Sequence, residues 1–363
     1  MYLYYYTNVE TMRNILCQAN IYATNLLYMN DSEEYANGLK ELSIILNKRY
    51  ENQVNSMSDS RILIDEKKLQ KELEKEVSVY SISFSEARDL LSQWSMYAGE
   101  SGVSLKLEFA NDETYMTYFE GSGNARKELL NDKKIHPEKV FYCTKDVMQE
   151  ADYEKREAEI WNKIRTDENQ NTTRDLEGNY AELWKKYTPY VKRVEFQAER
   201  EYRLVFDRIH ILNGKETRID YRNSGNVLKS YMDIQCKDGW PIHEIIVGPG
   251  FNQDAVYRSI LFFLNNAALK VRSLDNDTFL KRCEEYFTVC GKVPETICKI
   301  WRKKKSELEG KKIEETYMLW NLVYEEMKEK IKEKDLVYYN KLKNTVLTSK
   351  GIILSKSRIP YIY

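Results

Sequence analysis

The sequence predicts an α+β fold, with a mixed or antiparallel central sheet and helices around it. Three observations predict it. Short runs with apolar alternation or continuous apolarity, such as Val103–Phe109 and Ile242–Val247, recur along the chain and read as strands. Long charged stretches with apolar residues at helical spacing lie between and after them. Only 6 prolines and 14 glycines occur in 363 residues, too few for a linker-rich or disordered chain.

Taken in order, Met-Tyr-Leu-Tyr-Tyr-Tyr-Thr at residues 1–7 is a β-prone opening. Thr7 or Asn8 can cap a short helix through Met12 and Ile15. Residues 21–29 read as a second extended piece. Asn30-Asp31-Ser32 then turns the chain into a helix whose first-turn acids suit the helix dipole, with Leu39, Leu42 and Ile45 at helical spacing. Residues 51–77 are polar and read as a surface excursion. In the run from Val77 to Glu86, Ser81, Ser83 and Ser85 alternate with Ile82 and Phe84, giving a strand with one small polar face. Residues 87–99 read as a helix or two short turns ending at Gly99.

Val103, Leu105, Leu107 and Phe109 alternate with polar residues, the pattern of a half-buried strand. Lys139–Cys143 is a short strand, and residues 146–190 are mostly helical, with Trp161, Leu183 and Trp184 as core contacts. Ile242–Val247 is apolar enough for an interior strand, which Gly248-Pro249-Gly250 stops ahead of an amphipathic helix over residues 254–265. Residues 275–347 are helical and charge-rich, with Trp301, Met318, Trp320, Leu322 and Val323 as hydrophobic contacts, and residues 352–361 return to strand. The expected organisation is a core over residues 1–272, a helical insertion over 273–347, and a final strand over 348–363 that rejoins the core.

The stretch Glu-Arg-Glu-Tyr-Arg-Leu-Val-Phe at residues 199–206 organises the reading. As a strand it places Glu199, Glu201, Arg203 and Val205 on one face and Arg200, Tyr202, Leu204 and Phe206 on the other. The second face looks like core. The first carries two carboxylates and a guanidinium, costly if buried unpaired, so it is either solvated or lines a polar cleft.

Composition narrows the classes without excluding nucleic acid, which a local patch could still serve. The 56 basic and 57 acidic residues balance, leaving no overall field for nucleic acid or a membrane surface. The 6 cysteines are scattered without a Cys-x-x-Cys pair, and with 3 histidines no metal is expected. His136, His210 and His243 are too dispersed for a nucleophilic triad. No basic stretch followed by an apolar one opens the sequence and nothing approaches a membrane span, so a cytoplasmic chain with reduced thiols is the expectation. Gly248-Pro249-Gly250 lacks the Gly-x-Gly-x-x-Gly spacing of dinucleotide binding, and no Walker motif occurs.

An ordered set of short motifs resembles a family known only as domain of unknown function 2971. The matching residues are Leu3 to Thr7, Asn30-Asp31 with Glu34, Ser83 to Glu86 leading to Gln93-Trp94 and Tyr97, and Gly102 before a strand. Glu199 to Arg203, Ile245 to Pro249 and Ser357 to Tyr361 complete the set, which spans nearly the whole chain. The chain departs from the family at Tyr5, where a basic residue or histidine is common, and in its long helical insertion before the final strand.

The motif order also resembles that of ADP-ribosyltransferases, which implies NAD as a substrate and, for this chain, a role as a bacterial toxin or antiphage effector. In those enzymes departure of nicotinamide leaves positive charge on the ribose, which a fixed carboxylate in a dry cleft stabilises. By position, Glu201 would be that carboxylate and Glu199 its companion. Ser83 and Ser85 would line the pocket, Tyr4, Tyr6 or Trp94 would stack on nicotinamide, Asn30 and Asp31 would lie among the binding residues, and Arg203 or Arg88 would replace the phosphate contact that Tyr5 cannot make. Each has a plainer role: Trp94 as core aromatic, Asn30-Asp31 as turn and helix cap.

Three classes therefore stay open. One is an NAD-consuming transferase or glycohydrolase acting on a protein, a nucleic acid or water. The second is a module that binds a small nucleotide without chemistry. The third is an interaction protein whose helical insertion makes a homo-oligomer or partner contact. Its Trp301-Arg302-Lys303-Lys304-Lys305 run reads either as a nucleic-acid contact or as a solvated helix end.

Overall fold

The computed structural model describes residues 1–29, 34–54, 79–99, 102–109, 118–120, 127–128, 136–168, 186–207, 219–224, 226–236 and 239–360. The fold is α+β, with mixed but mostly antiparallel strand pairing and flanking helices. The chain divides into two compact units, each made of separated segments. Residues 1–20, 87–113 and 236–363 form the first, and residues 21–86 and 114–235 the second. Asn30, Asp31, Leu183 and Trp184 lie outside the described residues.

The first unit is a sheet with the strand order Val346–Leu347, Ile353–Lys356, Ile242–Val247, Gly102–Glu108 and Tyr2–Asn8. Its pairs are antiparallel except Ile242–Val247 with Ile353–Lys356, which run parallel. A parallel pair needs a crossover. Here it contains the helices Gln253–Asn266, Asn276–Val289, Glu295–Leu308, Ile313–Glu329 and Leu336–Lys343, so the charge-rich stretch links two neighbouring strands. Leu3, Leu105, Ile245 and Leu354 form the apolar face of this sheet, each fully buried. The helix Val9–Gln18 packs against the opening strand, capped by the Asn8 side chain, which accepts from the Thr11 N–H.

The crossover helices hold an aromatic cluster of their own. Trp320 meets Tyr286, Phe287 and Trp301 edge-on, at centroid distances of 5.9, 5.7 and 5.5 Å. Two expected contacts are not there. Met318 and Leu322 are 70% and 69% exposed. They sit four apart on the outer face of Ile313–Glu329, because Thr316, Trp320, Val323 and Met327 already make up the stripe that turns inward.

In the second unit Val79–Ser85 pairs antiparallel with Glu201–Asp207 on one side and Asn20–Asn25 on the other. Val227–Cys236 follows Asn20–Asn25 and carries Asp220–Ser224 as a hairpin partner. Phe141–Tyr142 runs parallel to Val191–Lys192 in a separate small sheet. The helices Glu34–Val54 and Glu150–Glu168 bury Leu42, Ile45, Ile160 and Ile164 in one cluster with Tyr153, Tyr187 and Val191. Gly38 lets the first of these helices lie against backbone, since a Cβ there would meet the Val191 carbonyl oxygen at 2.6 Å.

Two expectations about strands are corrected. The second extended piece is a strand only to Asn25. A 3₁₀ turn over Leu26–Tyr28 follows, begun by the Asn25 side chain accepting from the Leu27 N–H. Glu199 is not on the organising strand. It ends a 3₁₀ turn over Val194–Glu199, and Arg200 then takes a left-handed φ of 47° before the strand starts at Glu201. That break removes Glu199 from the strand's alternation.

Candidate functional site

The charged face of the organising strand is buried in the second unit. Glu201 and Arg203 are 4% and 1% exposed, while Leu204 and Phe206 on the opposite face are fully buried. The register sets Glu201 across from Ser85 and Arg203 across from Ser83. Opposed residues share a face, so the serines leave room for the long charged side chains. Ser85 is tied down, its hydroxyl donating to the Glu199 carbonyl at 2.6 Å. The Ser83 hydroxyl is buried beside the Glu201 carboxylate, which it helps to hold ionised.

Five charged side chains form one lattice there. Arg203 grips Glu201 with two nitrogens, Nε to Oε1 at 2.7 Å and Nη2 to Oε2 at 3.0 Å. Its Nη1 donates to the Pro189 carbonyl at 2.7 Å, and Nη2 also pairs with Glu34. Lys192 reaches Glu199 at 2.8 Å, Glu201 at 3.0 Å and Glu34 at 3.1 Å. The Glu201 N–H donates to the Tyr142 hydroxyl at 2.7 Å. Glu34 arrives from the start of the helix Glu34–Val54, and Lys192 from the strand Val191–Lys192. Charges taken out of water persist only when paired and hydrogen-bonded, and that condition is met here.

The electrostatics divide the two candidate catalytic carboxylates. Burial works against ionisation of Glu201, but Arg203 and then Lys192 overcome it and hold its carboxyl down at about 2. Burial raises the Glu199 carboxyl, and Lys192 only partly opposes that. Burial opposes the charge on Arg203 and Lys192 too. Glu201 outweighs it, so both stay firmly cationic. Glu201 is thus ionised, and both its oxygens are occupied.

Tyr4, Tyr6 and Trp94 come together in the first unit, packed with Ala98 and Ile246. Trp94 is 3% exposed, stands edge-on to Tyr6 at 4.8 Å, and donates its indole N–H to Asp89 at 2.7 Å. The Tyr6 hydroxyl donates to the Ala87 carbonyl at 2.7 Å and accepts from the Leu90 N–H at 3.1 Å. Asp89 also accepts from the Ser357 hydroxyl and the Arg358 N–H. The ring face of Trp94 lies close to Gly248, where a Cβ would meet it at 2.8 Å. Several motifs thus form one clasp, in which Trp94, Gly248 and Ser357 fasten the segment after Ser85 to the sheet.

Arg88 is the remaining phosphate candidate with groups to spare. Every side-chain nitrogen of Arg203 already has a partner. Arg88 is 29% exposed along its side chain, and its Nη2 donates to Glu244 Oε1 at 2.6 Å and Ser355 Oγ at 3.2 Å. Its Nη1 and Nε have no hydrogen-bond partner among the described residues, and neither has the Tyr4 hydroxyl. Tyr4 lies across from Lys106, and Lys106 across from Glu244. Tyr4, Lys106 and Glu244 therefore form a polar row on one sheet face. Lys106 makes no ion pair among the described residues and sits 3.8 Å above the Tyr2 ring, its ammonium weakened by burial.

Sequence reasoning missed Lys192 altogether, since nothing distinguishes it from a surface lysine. Glu34 was visible as a helix-start acid and as part of the matched Asn30-Asp31 motif, but not as a partner of Arg203 or Lys192. Glu244 had a signal, a carboxylate in the middle of the apolar run Ile-His-Glu-Ile-Ile-Val. Among the described residues no group of His, Cys, Asp and Glu could hold a metal ion, and no helix is long and apolar enough to cross a membrane. No protein-family model matches the chain, and no curated protein or solved structure matches it.

Proposed function

We propose that this chain is a nucleotide-binding module in which Glu201 serves structure and the ligand sits on the polar row of the first unit, at Tyr4, Arg88 and Lys106. One observation carries the reading. Glu201 is 4% exposed and both its oxygens are held by Arg203 and Lys192, so a ribose hydroxyl reaches them only if the buried lattice opens. The polar row, by contrast, has donors free among the described residues and an aromatic ring beside them. The resemblance of the motif order to nucleotide-using enzymes supports a nucleotide over other anions.

A second reading, NAD consumption at Glu201, is favoured by one specific feature. The carboxylate is ionised in dry surroundings, as stabilisation of an oxocarbenium ion requires. Titration calorimetry with NAD and ADP-ribose separates the two readings. The proposal expects binding that Glu201→Gln leaves within about twofold if the variant folds, and that Arg88→Gln weakens about tenfold, the effect of one charged hydrogen bond. Loss of binding in a folded Glu201→Gln protein with Arg88→Gln unaffected would reverse the assignment.

A further inference from the structure

We infer that the polar row of the first unit reads an amide-type edge, a carbonyl beside an N–H in a planar ligand, as in the carboxamide of nicotinamide or the lactam of guanine. The inference rests on the proposed nucleotide reading and names the part of the ligand that this face grips.

Glu244 is fully buried at the centre of the sheet, and its two oxygens are unequal. Oε1 accepts from Arg88 Nη2 and from the Ser355 hydroxyl, whereas Oε2 has no partner among the described residues. A buried carboxylate oxygen without a donor is costly, and the deficit calls for an N–H or O–H from outside the chain. Next to it the deficit is of the opposite kind. Arg88 has Nη1 and Nε to spare, and Lys106 has an ammonium without an ion pair among the described residues. These groups call for an acceptor.

One ligand feature meets both demands, a donor and an acceptor side by side. A bare anion does not, because it would bring negative charge up to Glu244 Oε2 and leave that oxygen without a donor. A bare ammonium does not either, since Arg88 and Lys106 would repel it. The Arg88–Glu244 pair is already neutral, which suits an uncharged edge. The Tyr4 ring stands on the same face, across from Lys106, and its hydroxyl, without a partner among the described residues, is a further donor for the carbonyl.

The test is titration calorimetry on the full chain with nicotinamide, guanosine, ribose 5-phosphate and inorganic phosphate. The inference expects nicotinamide and guanosine each to bind at least about tenfold more tightly than either phosphate compound. Arg88→Gln also strips buried Glu244 of its cation and so lowers the melting curve, and it weakens the two edge-bearing ligands at temperatures where the variant is folded. Glu244→Gln, which puts a donor where the orphan acceptor stood, weakens the same two ligands if it folds. Equal binding of ribose 5-phosphate would overturn the inference, because the face would then be an anion site, while the nucleotide reading would stand. Failure of both nicotinamide and guanosine to bind would also overturn it, and failure of NAD and ADP-ribose as well would bring down the underlying reading.

Discussion

Arg203 closes on Glu201, two residues earlier on the same strand, through two hydrogen bonds of 2.7 and 3.0 Å at a position where both are buried. Alternation along a strand brings residues i and i+2 to one face, and the guanidinium fork matches the carboxylate. Lys192 and Glu34 complete a lattice of two cations and three carboxylates. In the fold the Glu-x-Glu-x-Arg pattern supplies three of the five charges of a buried ionic lattice.

Removing Arg203 should therefore unfold the protein more easily. Arg203→Met leaves three buried carboxylates facing Lys192 alone, and breaking a buried pair from one side costs about 3–5 kcal/mol. Urea or guanidinium denaturation reads this directly. A loss under about 1 kcal/mol would mean that the lattice is solvated.

The same lattice sets an acid limit. The folded Glu201 carboxyl is depressed to about 2, below the ordinary glutamate value of about 4.3, so the unfolded chain binds its proton first. Its contribution to stability is present above about pH 4.3 and is lost as pH falls towards about 2. Glu199 is shifted the other way, so it does not add to that loss. Stability measured across this window should fall steeply in the wild type and less steeply in Glu201→Gln. Parallel slopes would show that Glu201 is not the group responsible.

The clasp around Trp94 gives a packing prediction. In Gly248→Ala the added methyl would meet the indole ring at 2.8 Å, and the ring cannot swing away while its N–H is bonded to Asp89. Overpacking of this kind costs about 1–3 kcal/mol. The variant should melt earlier and change its tryptophan fluorescence. An unchanged melting curve would show that the ring gives way freely.

Thiol reactivity should sort the cysteines by burial. Cys17 and Cys298 are half-buried, and the other four are buried. Burial pushes the Cys290 thiol up to about 11 and the Cys143 thiol to about 12. A disulfide reagent on the native protein should label two thiols quickly and the rest only on unfolding. Fast labelling of all six would contradict the packing.

Much of the fold was legible because strands and helices carry local periodicity. Val103–Phe109 and Ile242–Val247 stand where their alternation and apolarity place them. The stripe on Ile313–Glu329 was misread at Met318 and Leu322, since an apolar residue reports its own preference and not which way its helix turns. The candidate site was less legible. Glu201, Arg203 and the serine face could be grouped from strand pairing, but Lys192 reaches them from a two-residue strand with no pattern of its own. Nothing in the sequence said that the charged face would be satisfied internally, because that depends on partners 9 and 167 residues from Glu201, at Lys192 and Glu34.

The most direct test of this account is to incubate the purified chain with NAD and follow nicotinamide release, wild type beside Glu201→Gln. With Glu201 committed to Arg203 and Lys192, the expected result is binding without release above the buffer rate in either protein. Release by the wild type that disappears in a folded Glu201→Gln protein would contradict the account and make Glu201 the catalytic carboxylate.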